Sequence, residues 1–288
     1  MFVTVMEPDG RSLYGSTFLG GSGTDGINLN LQANYGDAVR GEVILSPWNT
    51  ILVATSTNSI DVPLVNSFNT GNAGKQDAWI VELSMDCSQL LWSTAFGGTE
   101  DETGFAIRVN ETTGEIVMAG STESAALPQQ ASGAISTAGG QRDGYITIID
   151  SATRQPTTTT YNGTPFFDMN FLMDLDEQGN VYVLGQSAWN YPTTPNAISE
   201  ISPSVFVHEF SPDLTVSMRS LAFGNKQQTY AISPTAFLVD RCGDVYISGW
   251  GGNVNGNLSN TRNMHITRDA YQDTTDGSDL YFAVIDAS

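Results

Sequence analysis

Apolar and polar positions alternate along this chain in short runs, and the same runs return at a fixed interval. EIVMAGST (Glu115 to Thr122) recurs as NVYVLGQS (Asn180 to Ser187) and DVYISGWG (Asp244 to Gly251), with a divergent copy, TILVATST, at Thr50 to Thr57. Their glycines Gly120, Gly185 and Gly249 stand 65 and then 64 positions apart. A second signature places an acidic residue before a strand, in DAWIVEL (Asp77 to Leu83), DGYITII (Asp143 to Ile149) and DLYFAVI (Asp279 to Ile285); SVFVHEF (Ser204 to Phe210) keeps the strand without the acid. A third ends in a small-residue corner: LYGSTFLGG, LLWSTAFGG, TTTTYNGT and MRSLAFGN. β-Branched and aromatic residues dominate these runs, and turn signals such as PDG and EQGN separate them, so each predicts a strand. No long apolar stripe of helical period interrupts them. Each repeat thus carries about four short strands and stacks on its neighbours. The prediction is an all-β fold, a β-propeller of four-stranded antiparallel blades; a β-sandwich is the alternative, but it has no need of four near-copies.

The repeat divides residues 1–288, read as a single propeller fragment, into a closing strand of a preceding blade (1–12) and four blade units: 13–83, 84–149, 150–210 and 211–288. FVTVME (Phe2 to Glu7) and its following turn align with WIVELS (Trp79 to Ser84) and its turn, giving five copies of this strand against four of its partners. That surplus predicts an arc of a ring of six to eight blades, completed by flanking sequence or a neighbouring subunit, because an open blade edge is aggregation-prone.

At these residues the chain resembles the SBBP family of bacterial β-propeller repeats. The resemblance is carried by LYGSTFLGGSGTD (Leu13 to Asp25), GKQDAWIVEL (Gly74 to Leu83), GNVYVLGQS (Gly179 to Ser187) and YPTTPNAI (Tyr191 to Ile198). The last unit, DRCGDVYISGWGGNVNG with ITRDAYQDTTDGSDLYFAVIDAS, is similar to the propeller segment of very large surface proteins of gliding Bacteroidota. What that resemblance implies is type IX secretion, an extracellular or cell-surface location, and structural or adhesive work in attachment, gliding or capture of prey or substrate. The expected partners are other domains of the same large polypeptide, a homo-oligomer or surface assembly, and a glycan or target-cell surface. The chain departs from the family pattern by an insertion near Gly26 to Gly36 and by the missing acid before SVFVHEF.

Charge narrows the field further. Lys and Arg number 11 against 31 Asp and Glu, a formal charge of -20, which repels nucleic-acid backbones and anionic lipid. No apolar run reaches membrane-spanning length and no signal peptide is visible, so neither nucleic acid nor membrane insertion is expected. Cys87 and Cys242 are far apart in sequence and read as two separate thiols.

The candidate chemistry is sparse. DLDEQGN places Asp174 and Asp176 in the order of a calcium loop without its terminal Glu; the bland reading is a Gly-closed β-turn, repeated in NETTGE and VDRCGD. The acidic corners GTDG (Gly23 to Gly26) and GTEDETG (Gly98 to Gly104) would either present carboxylates on one face or simply build turns. Only two histidines exist, His208 and His265, and both read as structural. The expectation is therefore no enzyme and no cofactor, with Ca²⁺ at Asp174 and Asp176, or a multivalent cation or sugar site at the acidic corners, as the alternatives. Trp189, Tyr191, Trp250 and Tyr271 lie in or beside long loops and are the candidates for stacking on a sugar or partner; Trp48 and Trp79 read as core. The Asn- and Gly-rich loop from Gly251 to Asn263 is a further candidate contact surface. The alternative function is thus a carbohydrate-binding or carbohydrate-cleaving propeller.

Overall fold

The computed structural model describes residues 1–34, 36–69, 75–200, 204–225, 231–254 and 257–286. Within them the chain is all β apart from two single 3₁₀ turns, Asp37–Val39 and Gln130–Ser132. It opens with β1 (Phe2–Met6) and β2 (Leu13–Phe18), which form a two-stranded sheet. Three four-stranded antiparallel sheets follow, each wound in chain order. The first is β3 (Glu42–Leu45), β4 (Thr50–Thr57), β5 (Asp77–Ser84) and β6 (Leu90–Phe96). The second is β7 (Ala106–Val109), β8 (Ile116–Thr122), β9 (Asp143–Ile149) and β10 (Pro156–Asn162). The third is β11 (Asp168–Leu175), β12 (Val181–Ser187), β13 (Ser204–Phe210) and β14 (Ser217–Phe223). The last large sheet has three strands, β15 (Ser233–Val239), β16 (Val245–Trp250) and β19 (Leu280–Ile285). Its connection from β16 to β19 carries the small hairpin β17 (Gly252–Val254) and β18 (Asn257–Ser259).

Side-chain alternation explains how these sheets meet. Successive residues of a strand point to opposite faces, so a strand buried on both sides must be apolar or satisfied throughout. β5, β8, β9 and β12 are buried almost end to end. Leu52, Ala54 and Ile80 of the first four-stranded sheet pack against Ile116, Met118 and Tyr145 of the second. Val117, Ile146 and Ile148 on the opposite face pack against Val181, Val183 and Phe206 of the third. Its other face, through Leu184, Val205 and Val207, meets Val239, Val245 and Ile247. At the beginning of the chain Val3 and Val5 cover Ile51, Val53 and Trp79. Each sheet therefore packs face to face on the next, and the first strands β3, β7, β11 and β15 lie against one another in series. The two end sheets are covered on one side only, which leaves Phe2 and Phe18 at one end and Leu238, Phe282 and Val284 at the other exposed.

The periodic glycines have a specific cause. Gly185 and Gly249 sit opposite bulges, between Asn170 and Leu172 in β11 and between Pro234 and Ala236 in β15. A Cβ on Gly120 would stand 1.7 Å from the Thr103 carbonyl oxygen, and one on Gly185 would stand 2.3 Å from that of Met169. The bulged inner strand crowds Gly185 and Gly249, and the segment leading into β7 crowds Gly120, so only glycine leaves room.

The insertion after Asp25 crosses the inner edges of the sheets. Gln76 donates to Asn28 Oδ1 at 2.9 Å and Asn30 donates to Asp101 Oδ1 at 2.8 Å. Asn34 Nδ2 reaches Gln186 Oε1 at 2.5 Å, and Arg40 Nη2 reaches the Pro234 carbonyl at 2.9 Å. Leu31 is fully buried against Phe105, Met169 and Phe171. One loop thus ties four consecutive large sheets together at this end.

Candidate functional site

The carboxylates of the predicted cation loop meet donors within the fold. Asp176 Oδ1 accepts from the Gln178 and Asn180 backbone amides at 2.9 and 2.8 Å, and its Oδ2 accepts from Asn180 Nδ2. Asp174 Oδ2 accepts the Val239 amide of the next sheet at 2.9 Å, and its Oδ1 faces Arg108, which also pairs with Glu42. Asp176 therefore closes a hairpin, whereas Asp174 bridges inner strands. Asn110 and Asp240 accept backbone amides at the same turn in their units, so the acceptor at the position of Asp176 follows from turn chemistry.

The acidic corners also point inward. Asp25 accepts from the Gly21 amide and from the Thr57 and Ser59 hydroxyls. Glu102, buried, accepts from Thr122 Oγ1 and the Gly98 amide, and burial pushes its pKa up to about 7. Asp143 holds the Gly139 and Gly140 amides, and burial with Asp168 nearby lifts it to about 6. Low dielectric disfavours the ionised form, so Glu102 and Asp143 hold their protons to higher pH than ordinary carboxyls do. The strand-initial place of Asp143 and the corner places of Asp25 and Glu102 were legible in sequence, but the burial of Asp143 and Glu102 was not.

His208 is interior. Its Nδ1 lies 2.7 Å from Tyr191 Oη and its Nε2 2.7 Å from Ser217 Oγ, and its ring stacks on Phe210. Burial lowers its pKa to about 3, so it is neutral at physiological pH. Tyr191, expected on the surface, is instead 4% exposed; it stacks on Phe206 at 3.8 Å and its hydroxyl receives Asn162 Nδ2. Folding its loop beneath the third four-stranded sheet makes Tyr191 part of the core. Cys87 is buried and Cys242 exposed, and both are free thiols.

The other loop aromatics remain accessible to different degrees. Trp189 is 52% exposed and leans on Phe166 with ring centroids 5.1 Å apart, a two-ring platform on the surface. Tyr271 is fully exposed, and Trp250 is half-buried at the end of β16. The structure brings Trp189 together with Phe166, not with Trp250 or Tyr271. Residues 255 and 256 of the Gly251 to Asn263 segment lie outside the described residues.

A cleft that the sequence did not indicate opens beside the first two four-stranded sheets. It measures about 500 Å³ and is lined by Trp48, Thr50, Glu82, Trp92 and Arg154, among others. Glu82, 3% exposed, accepts from Trp48 Nε1 and Thr50 Oγ1, both at 2.7 Å, and pairs with Arg154. The guanidinium sits 5.4 and 5.2 Å from the Trp48 and Trp92 ring centroids. These contacts clamp the first sheet to the second. The residues span more than a repeat, so only the packing of two units assembles them; the scarcity of arginine in so acidic a chain is the one sequence signal. Trp48 is therefore a half-buried wall of this cleft, while Trp79 is fully buried core.

Comparison with models of known protein families and with curated proteins finds no match to this chain.

Proposed function

We propose that this chain is a run of β-propeller blades serving as a non-catalytic structural or adhesive module of a large secreted surface protein. The observation that carries the reading is the serial face-to-face packing of sheets wound in chain order, with their first strands against one another. Face-packed antiparallel sheets of this kind, repeated around an axis, are the propeller arrangement. The exposed apolar faces of the two end sheets support it, since they carry the same kind of residue that covers a neighbour elsewhere in the stack. The non-catalytic part is supported by the occupation of the conspicuous titratable groups, with His208 neutral in the core and Asp174 and Asp176 holding backbone amides. The extracellular part rests on the SBBP resemblance and the acidic composition. Cryo-electron microscopy of the parent assembly tests it: blades around one axis within a larger surface structure are expected, and an open stack of sheets would refute it.

One observation favours carbohydrate binding as a second reading. The Trp189 and Phe166 rings offer an exposed aromatic platform of the kind on which sugar rings stack. A glycan array comparing the native chain with Trp189→Ala decides it: binding lost in the variant supports sugar recognition, and no binding by the native chain removes it.

A further inference from the structure

The cleft beside the first two four-stranded sheets is built around a neutralised ion pair. Glu82 in β5 stands opposite Trp92 in β6, and Arg154 reaches Glu82 from the turn between β9 and β10 of the next sheet. Arg154 is held at φ +57°, in the left-handed region that long side chains seldom adopt, with its amide bonded to the Asp150 carbonyl at 2.8 Å. Such a conformation persists only where the surroundings fix it. Among the described residues no other charged side chain lines the cleft, so its walls carry no net charge in a chain whose formal charge is -20.

The polar groups of the walls are unevenly engaged. Glu82 accepts from Trp48, Thr50 and Arg154. The side chains of Asn66 and Ser151, also in the lining, have no hydrogen-bond partner among the described residues. Arg154 Nη1 and Trp92 Nε1 are buried without an acceptor among them. Beside these groups stand two indoles, Trp48 half-buried and Trp92 fully buried. The volume of about 500 Å³ falls within the roughly 300 to 1,000 Å³ usual for small-molecule sites. A charged occupant would compete with a buried ion pair, which is costly to break, and a wholly apolar one would leave the free polar groups unpaired.

We propose that this cleft binds a neutral, gluco-configured pyranose ring, its C–H face against Trp48 and its hydroxyls on Asn66, Ser151 and Arg154. Equatorial hydroxyls leave both faces of such a ring apolar, which suits an indole wall, and direct its oxygens outward to the polar rim. Those oxygens accept from the guanidinium and the Asn66 amide, and their O–H groups donate to Ser151 Oγ. The site shares no residue with the Trp189 and Phe166 platform. The inference rests neither on that platform nor on the sheets closing into a ring.

The test uses the whole chain, with cellotetraose, laminaritetraose and maltotetraose as neutral probes and tetragalacturonic acid as the charged control. Binding is followed by isothermal titration calorimetry and by the tryptophan indole signals in nitrogen-15 nuclear magnetic resonance. Saturable binding of at least one glucose tetramer is expected, with the Trp48 and Trp92 signals shifting and the Trp189 signal unmoved. Ser151→Ala and Asn66→Gly, the latter suited to the φ of +50° at that position, should each weaken it about 3- to 10-fold without changing the melting temperature. Trp48→Ala should abolish it; if that variant does not fold, the two rim variants decide alone. Absence of saturable binding by all three neutral probes, equal binding by tetragalacturonic acid, or unchanged affinity in both rim variants overturns the proposal. Shifts confined to Trp189 would place the sugar on the surface platform, which overturns the cleft and leaves the platform reading standing.

Discussion

Substituting alanine at the three periodic glycines should produce a graded loss of stability, set by how close and how rigid the opposing atom is. At Gly120 the added Cβ meets the Thr103 carbonyl oxygen at 1.7 Å, with the Tyr145 ring behind at 3.1 Å. Neither neighbour can move: Thr103 is tied by its amide to Ser121 O, and the Tyr145 hydroxyl donates to that same Thr103 carbonyl. At Gly185 the contacts are 2.3 Å to the Met169 oxygen and 2.2 Å to the Phe206 ring. At Gly249 the backbone contact relaxes to 3.0 Å, and the nearest atom is the terminal methyl of Ile232 at 2.7 Å. Overpacking costs about 1 to 3 kcal/mol, and alanine returns roughly 0.4 to 1 kcal/mol by restricting the unfolded chain. Gly120→Ala should therefore lose about 2.5 kcal/mol, Gly185→Ala about 1.5 and Gly249→Ala about 0.5 or less. Urea unfolding followed by far-ultraviolet circular dichroism gives the three values. Equal losses, or Gly249→Ala as the worst of the three, would show that strand conformation rather than inner-strand crowding selects glycine here.

Other consequences follow from the buried polar groups. Glu102 binds its proton more tightly in the folded chain than in the unfolded one, so its contribution is full below pH about 4.5 and declines as pH rises to about 7. The isosteric Glu102→Gln should flatten that part of the stability profile, a difference of about 3 kcal/mol across the window, measured by urea titration at each pH. The His208 ring should show no titration between pH 5 and 8 in nitrogen-15 nuclear magnetic resonance, and a midpoint near the ordinary value of 6.5 would contradict its burial. Arg40→Ala removes the ion pair to fully buried Asp37 and the bond to Pro234, and should cost about 3 kcal/mol in thermal or urea unfolding. A loss under about 0.5 kcal/mol would mean that the crossing loop does not brace the sheets.

Local pattern alone was sufficient for the second, third and fourth strands of the repeat, and not for the first strands β3, β7, β11 and β15. The runs around Gly120, Gly185 and Gly249 became β8, β12 and β16, and the acid-led runs became β5, β9 and β19, because alternation and turn residues act within a few positions of one another. The Asx turns at Asn110, Asp176 and Asp240 were legible for the same reason. Tertiary structure alone decided what the loops do. Tyr191 reads as a loop aromatic next to Trp189, yet it lies under Phe206 while Trp189 faces solvent, a difference set by strands 15 and more residues away. Glu82, Arg154 and Trp48 become one cleft only when two sheets stack, and Asn28 to Arg40 becomes a brace only when four sheets converge beneath it. Periodicity reports which face of a strand is apolar; which neighbour covers that face, or leaves it open as beside β19, is fixed by long-range packing that no local run encodes.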